Sequence, residues 1–139
     1  MVEIACAPYP SFVASRLEAG ERLNYTIDTV ERFRKDMQHD DELFFLIGAD
    51  AFNEITSWHR WEELITMIHF IVVSRPGEEY VVPEGAVVYR LEGLDLHVSS
   101  SAIRERLAQG ESVPEVPVEV REYISQRGLY GAGQRSTTV

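Results

Sequence analysis

Hydrophobic and polar positions are grouped in blocks along the chain, and the blocks predict strands and helices in turn. Three apolar runs have the length and composition of β-strands, at 43–47 (LFFLI), 70–73 (FIVV) and 86–91 (AVVYRL). Between and after these runs, apolar residues recur every three or four positions, which is typical of helices packed on a sheet. The alternation predicts an α/β domain with a mostly parallel sheet.

The clearest helical pattern places Trp61, Leu64, Ile65 and Ile68 on one face. Further helices are predicted from Thr26 to Met37, after Asp50, from Ser99 to Gly110 and from Pro117 to Gly128. Thr26 and Asp50 are expected to act as N-caps, and Gly110 as a C-cap.

Other segments give simpler expectations. The continuous apolar runs at 43–47 and 70–73 favour strands that are buried on both faces. Residues 11–15 (SFVAS) could form a short strand. The sequence after Tyr130 is small and polar, so we expect one α/β domain over 1–130 and a disordered tail over 131–139.

Composition and charge exclude several classes of function. The chain has 23 acidic and 13 basic residues, a net charge of −10, which argues against a general nucleic-acid binder. No apolar stretch is long enough to span a membrane, so no membrane partner is expected. Cys6 is the only cysteine, which excludes an internal disulfide and a cysteine-based zinc site. The first ten residues lack the features of a secretory signal, and we expect a cytoplasmic protein.

Polar clusters follow the predicted strands at 48–50, 74–77 and 98–104. In parallel sheets, ligands bind beyond the carboxyl ends of the strands. The cluster at 98–104 has three serines at a helix start and Arg104 one turn later, which is suited to an anion. The alternative for this cluster is a serine-rich N-cap with a solvated arginine.

Five other residues have both a binding and a structural interpretation. Arg75 could face a phosphate or sit in a turn, and Trp58 could stack on a flat ring or pack at the periphery of the core. Asp50 could bind ribose hydroxyls or cap a helix. Tyr25 and Thr26 lie at a helix start, where backbone N–H groups could bind a carboxylate or be capped locally. The four histidines show no metal-ligand spacing.

Several of these motifs occur together and in order. They are Asn24-Tyr25-Thr26-Ile27-Asp28-Thr29, Ile47-Gly48-Ala49-Asp50, Ser57-Trp58, Ser74-Arg75-Pro76-Gly77, Val98-Ser99-Ser100-Ser101-Ala102-Ile103-Arg104 and Tyr123-Ile124 with Gly128-Leu129-Tyr130. Over roughly residues 1–130 the chain resembles bacterial nicotinate-nucleotide adenylyltransferases, of the nucleotidyltransferase superfamily. The resemblance implies a Rossmann-like fold and transfer of AMP from ATP to nicotinic acid mononucleotide, giving deamido-NAD and pyrophosphate.

The resemblance also implies residue roles on the acceptor side. Tyr25 and Thr26 would contact the nicotinate, with the backbone of Thr26 at the carboxylate. Trp58 would stack on the pyridine ring, and Arg75 would serve the mononucleotide.

On the ATP side, the resemblance implies that Gly48 and Asp50 lie along the nucleotide near a ribose. Ser99, Ser101 and Arg104 would hold the ATP phosphates, which makes Ser101 and Arg104 the expected catalytic residues. Magnesium would accompany the ATP, and no protein metal site is expected.

The sequence departs from the family pattern in one respect. The family carries a G-x-F-D-P-x-H-x-G-H loop whose two histidines bind ATP phosphates, and no H-x-G-H occurs in these 139 residues. We therefore expect that the first strand–helix unit or units are missing and that activity is impaired. An exposed sheet edge could then join copies into a homo-oligomer.

Three alternatives stay open at this point. The chain could be a non-catalytic mononucleotide-binding module, or a nucleotidyltransferase of the superfamily with another acceptor. It could also be an unrelated α/β fold whose motifs match by coincidence.

Overall fold

The computed structural model describes residues 1–20, 23–75, 77–93 and 98–131. These residues form two compact units, each with its own hydrophobic core. The larger unit lies within Arg16–Asp95, and the smaller unit joins Met1–Ser15 to the described part of 96–139.

Helices and strands alternate as the apolar blocks predict. In chain order the described elements are α1 (Val2–Cys6), α2 (Thr26–Arg34), β1 (Phe44–Gly48), α3 (Ala49–Asn53), α4 (Trp61–Met67), β2 (His69–Ser74), β3 (Val87–Glu92), α5 (Ser100–Ala108) and α6 (Val118–Gln126). Short 3-10 turns follow α3 at Ile55–Ser57 and α6 at Leu129–Gly131.

The three strands form a parallel sheet in the order β1-β2-β3. Phe45 of β1 lies opposite Phe70 of β2, which lies opposite Val88 of β3. Side chains alternate between the two faces of a strand, so these three residues share one face of the sheet. The predicted mostly parallel α/β architecture is therefore present in the larger unit.

The core of the larger unit covers that one face. Phe70 is completely buried, and its ring makes edge contacts with Phe45 and with Phe52 of α3. Ile27 of α2 and Leu64 of α4 are also completely buried in this cluster.

The opposite face of the sheet is open, which corrects the expectation of strands buried on both faces. Leu46 is 65% exposed, and Tyr89 of β3 is 51% exposed. Phe44, His69 and Tyr89 form a row of ring contacts on this face, with centroids 5.2 to 6.1 Å apart. The continuous apolar run at 43–47 indicated a strand correctly, but its composition could not reveal that only one face is covered.

The smaller unit packs α1, α5 and α6 around a second cluster. Its buried residues are Leu107, Val113, Val120 and Ile124. Ile4 of α1 packs against this cluster.

Three local expectations are corrected by the backbone. Thr26 is the first helical residue of α2 and Tyr25 is its N-cap, because Tyr25 is extended and its carbonyl accepts from the Thr29 N–H. Asp50 lies in the first turn of α3, and Gly48 is the N-cap. Gly110 lies one residue beyond the α5 C-cap, at a positive φ of 75° that favours glycine.

Residues 11–15 do not form the suggested strand. The Phe12 N–H donates to the Tyr9 carbonyl at 2.9 Å, so a tight turn enters this segment. Pro8 and Pro10 precede it and cannot donate to a strand ladder. The tail expected to be disordered, apart from Gly131, lies outside the described residues, as does His97. Across the described ranges, no helix is long and apolar enough to cross a bilayer.

We predict that Phe70→Ala lowers the free energy of unfolding by about 3–5 kcal/mol, because a large aromatic is removed from a closed core. Leu46→Ala on the open face is the matched control and should change it by less than about 1 kcal/mol. Urea unfolding followed by circular dichroism measures both. Equal losses in the two variants would contradict the one-sided core.

Candidate functional site

The carboxyl ends of β1 and β2 lie side by side in the larger unit. Gly48, the last residue of β1, is opposite Val73, and Ser74 and Arg75 follow directly. Asp50 is exposed in the first turn of α3, next along the chain from β1. Two of the three polar clusters expected at one edge are therefore adjacent, whereas the third, at 98–104, belongs to the smaller unit.

Gly48 borders open space. A Cβ built on Gly48 would meet no atom within 4 Å, and its φ of −74° is accessible to any residue. Nothing in the described fold therefore requires a glycine at this strand end. Glycine is also used where a ligand must come close to the backbone, because a side chain would block the approach.

Ser74 has a buried hydroxyl at the end of β2. Its side chain is 3% exposed, and its Oγ has no hydrogen-bond partner among the described residues. Arg75 follows in a turn, where its N–H donates to the Glu78 carboxylate and its carbonyl accepts from the Glu78 N–H, both at 3.0 Å. The backbone of Arg75 is therefore part of a turn, as one interpretation predicted. Arg75 is exposed.

The start of α2 carries Tyr25 and Thr26. No side chain caps this helix, so its first N–H groups are not used by a local cap. Unused N–H groups and the helix dipole together favour an anion at this end. The ring of Tyr25 lies against the ring of His59, with centroids 4.2 Å apart and planes 32° from parallel.

Trp58 lies beside His59 in the segment before α4. Its ring is half-buried and makes an edge contact with Phe45, at a centroid distance of 6.2 Å. The packing role considered for Trp58 is therefore real, and it leaves part of the ring accessible. Trp58 thus packs on the core through Phe45, and its neighbour His59 packs on Tyr25.

Sequence reasoning assigned no role to His59 or Arg60. Arg60 is the N-cap of α4 with a left-handed backbone, at a φ of 51°. Its guanidinium donates to both oxygens of Glu63, at 2.7 and 3.0 Å, and to Glu31 of α2 at 2.8 Å. The hydrogen bonds that Arg60 donates to Glu63 and Glu31 raise the pKa of Arg60, and the contact with Arg60 lowers the pKa of the Glu63 carboxyl. Glu31 and Asp28 lie about 30 positions before Arg60, so the sequence near Arg60 could not predict these contacts.

The serine cluster lies at the start of α5 in the smaller unit. Ser99 is the N-cap, and its hydroxyl accepts from the Ala102 N–H at 3.4 Å. The Nε of Arg104 donates to the Ser100 carbonyl at 3.1 Å, and its guanidinium lies 6.0 Å from the centre of the Tyr130 ring. Ser101 is exposed. The capping interpretation is confirmed for Ser99, and Ser101 lies in the first turn of α5.

Comparisons with known proteins exclude one of the three open alternatives. Residues 9–106 match the family described as Cytidylyltransferase-like. A probable nicotinate-nucleotide adenylyltransferase from Solibacter usitatus (strain Ellin6076) is 44% identical over 94% of this chain and 69% of the relative. The chain belongs to the nicotinate-nucleotide adenylyltransferase family. An unrelated fold with coincidental motifs is excluded.

Other family members give a consistent result. A probable nicotinate-nucleotide adenylyltransferase from Geobacillus thermodenitrificans (strain NG80-2) is 40% identical over 95% of this chain. The chain spans 61% of that relative's length. The family consists of transferases, which confirms the predicted class of enzyme.

A solved structure has the same fold. The nicotinic acid mononucleotide adenylyltransferase of Plasmodium falciparum, complexed with APC, aligns with a TM-score of 0.68 over 92% of this chain and 72% of that one. The identity is 20%, so this likeness concerns the fold. The predicted Rossmann-like class, with a parallel sheet and flanking helices, is confirmed.

We predict that Gly48→Ala leaves the free energy of unfolding within about 1 kcal/mol of the wild type, because the added methyl group meets no atom and the backbone is unstrained. Gly110→Ala is the contrasting variant, since its φ of 75° penalises a side chain. Thermal unfolding of both variants tests this. A larger loss for Gly48→Ala than for Gly110→Ala would show that the fold itself needs a glycine at the end of β1.

Proposed function

We propose that this chain carries acceptor-binding and ATP-binding residues of an enzyme that transfers AMP from ATP to nicotinic acid mononucleotide. The products are deamido-NAD and pyrophosphate. The observation that carries the proposal is the uncapped start of α2, where Tyr25 lies against His59 next to Trp58, in a chain of this family. The names of the relatives support the reaction, and the Plasmodium falciparum enzyme has been solved with APC and with NaAD.

The acceptor would be bound by the larger unit. The N–H groups at Thr26 supply donors for a carboxylate, which a nicotinate ring has and a nicotinamide ring lacks. The accessible part of Trp58 would stack on the pyridine ring. Arg75, exposed in its turn, would pair with the phosphate of the mononucleotide.

In the larger unit, we expect ATP contacts at Gly48 and Asp50. Gly48 and Asp50 would lie along the nucleotide, where a Cβ at Gly48 would meet no atom within 4 Å and the Asp50 carboxylate can accept from ribose hydroxyls. In the smaller unit, Ser99, Ser101 and Arg104 would hold phosphates at the start of α5. Ser101 and Arg104 are the residues that we expect to affect catalysis most.

The chemistry requires positioning and charge neutralisation. The nucleophile is a phosphate oxygen of the mononucleotide, which is already ionised at neutral pH, so no general base is needed. It attacks the α-phosphorus of ATP, the bond to the bridging oxygen of pyrophosphate breaks, and pyrophosphate leaves with that electron pair. Donors fixed along the phosphates lower the barrier by stabilising the charge that develops. Arg104 and the hydroxyl of Ser101 would supply part of this stabilisation.

Magnesium would enter as part of the MgATP substrate. Mg²⁺ is usually held by substrate phosphates together with one or two carboxylates and water. Within the described ranges, no group of three or more His, Cys, Asp and Glu side chains could hold a metal.

We propose that the 139 residues assayed alone bind the mononucleotide weakly and turn over poorly. The two histidines that the resemblance places on the ATP phosphates are not in this sequence. Arg104 and the serines of α5 would then meet the developing charge without them.

The first test is pyrophosphate release from MgATP and nicotinic acid mononucleotide, with mononucleotide binding measured by calorimetry. We expect release near background and measurable binding. Trp58→Ala should weaken binding by roughly fivefold, because stacking of a flat ring contributes on the order of 1 kcal/mol. Trp61→Ala is the matched control, since Trp61 is also half-buried against the same core.

The same assay separates the alternatives. Robust release that Arg104→Ala abolishes and Arg127→Ala preserves would show that the phosphate contacts suffice without the histidine loop. Arg127 is matched to Arg104, because both are exposed arginines of the smaller unit lying over a tyrosine ring. Binding of a different mononucleotide in preference would indicate another acceptor. Absence of any mononucleotide binding would contradict the proposal.

We also propose that copies of the chain associate through the edge of the sheet at β1. Within the described residues β1 has a strand neighbour on one side only, and Phe44 and Leu46 are exposed on it. An exposed apolar edge strand presents unpaired backbone groups to another chain. Two copies related by a two-fold axis would pair their β1 strands antiparallel.

Sedimentation velocity tests this association. We expect a dimer at micromolar concentration that Leu46→Lys converts to monomer, because a charged side chain on an edge strand opposes pairing. Val81→Lys, at a comparably exposed apolar position outside the strands, should leave the dimer intact. A wild-type chain that is monomeric at all concentrations would refute the association.

A cytoplasmic location stays a prediction, which cell fractionation would test.

A further inference from the structure

Arg60 adopts a backbone conformation that its side chain does not favour. Its φ of 51° and ψ of 39° lie in the left-handed region, where residues other than glycine are uncommon. Its carbonyl nevertheless accepts the first hydrogen bond of α4, from the Leu64 N–H at 3.0 Å. The residue therefore turns the chain from the Trp58–His59 segment into α4, and a glycine would do so with less strain.

The arginine side chain makes contacts that a glycine could not. It donates to both carboxylate oxygens of Glu63 on α4 and to Glu31 on α2, and its Nη1 lies 3.9 Å from Asp28, also on α2. Guanidinium is suited to this because its five donors form a planar fork. The side chain thus joins the turn before α4 to two successive turns of α2.

The linked helix is the one whose first residues face the acceptor in the proposed function. Tyr25 precedes Asp28 by three residues, and His59 is the neighbour of Arg60 in sequence. The Tyr25 and His59 rings are in contact at 4.2 Å between centroids, although 34 positions separate them. Of the charged contacts that the Arg60 side chain makes, those to Glu31 and Asp28 of α2 connect these two segments.

We propose that Arg60 is a positioning residue for the acceptor: by binding Glu31 and Asp28, it holds the segment with Trp58 and His59 on the start of α2. This rests on the proposed function. Arg60 does not touch the nucleotide in this role. It keeps the Tyr25–His59 pair formed before the ligand arrives, so that less side-chain freedom is lost on binding.

A general contribution to stability would not explain the arrangement as well. Arg60 and its acidic partners are all partly exposed, and exposed ion pairs add little to stability. The left-handed backbone of Arg60 lowers the stability of the fold. The two carboxylates also differ in what they connect, because Glu63 belongs to the helix that Arg60 caps and Glu31 belongs to α2. Of these two glutamates, Glu31 is the one that, together with Asp28, joins the segment before α4 to α2.

Four variants of the 139-residue chain separate these roles. Arg60→Gly removes the side chain and relieves the backbone, and Arg60→Lys keeps the charge without the fork. Glu31→Ala cuts the link to α2, and Glu63→Ala is its matched control, since both glutamates bind the same guanidinium. Two quantities are measured for each variant: the nuclear Overhauser effect between the Tyr25 and His59 rings without ligand, and the Kd of nicotinic acid mononucleotide.

We expect Arg60→Gly and Glu31→Ala to lose the ring–ring signal and to raise Kd by roughly threefold to tenfold, the range that corresponds to ordering one or two side chains on binding. Arg60→Lys should fall between these variants and the wild type. Glu63→Ala should keep the signal and bind within about twofold of the wild type. The melting temperature of Arg60→Gly should be equal to the wild type or higher, because glycine tolerates this φ.

Two results would overturn the inference. One is a ring–ring signal and a Kd that are unchanged in Arg60→Gly, and the other is an equal effect of Glu31→Ala and Glu63→Ala. Failure of the proposed function gives a different result, because the wild type would then not bind the mononucleotide at all. In that case the ring–ring signal alone decides whether Arg60 holds the two segments together.

Discussion

Parallel pairing of β1 with β2 is the constraint on which the candidate site depends. Two parallel strands end at the same edge of a sheet, so the register that places Gly48 opposite Val73 also brings Asp50 and Arg75 to one side of the larger unit. The register is maintained by the row of Phe45, Phe70 and Val88 on the covered face. A shift by one residue would turn Phe70 to the open face, and the core would lose its central aromatic.

Much of the fold could be predicted because its signals are local. The helical pattern at 61–68 and the apolar runs of β1, β2 and β3 each lie within a single element, and the structure places an element at each. What failed depends on a neighbour that the sequence does not name. Apolar residues on β1 indicate a strand equally well whether one face is covered or two, and the exposure of Leu46 shows that only one is.

Some residues of the candidate site could likewise be predicted from local sequence, and others could not. Ser99 as a cap follows from the residue types at the start of α5, whereas Thr26, which was expected to cap α2, is its first helical residue. His59 and Arg60 were missed because their partners, Tyr25 and Glu31, lie on an element about 30 residues earlier. The structure supplies the clue that the sequence lacks. Arg60 has a left-handed backbone at the start of α4, and such strain in a residue other than glycine indicates that its side chain is needed.

The position of the two tryptophans has a consequence for spectroscopy. Trp58 and Trp61 both lie in the larger unit, and the sequence contains no other tryptophan. Intrinsic tryptophan emission excited at long wavelength therefore reports the environment of the larger unit alone. Helices α1, α5 and α6 contribute to far-ultraviolet circular dichroism but carry no such fluorophore. Two melting curves recorded with these probes coincide only if both units lose their structure in one cooperative step.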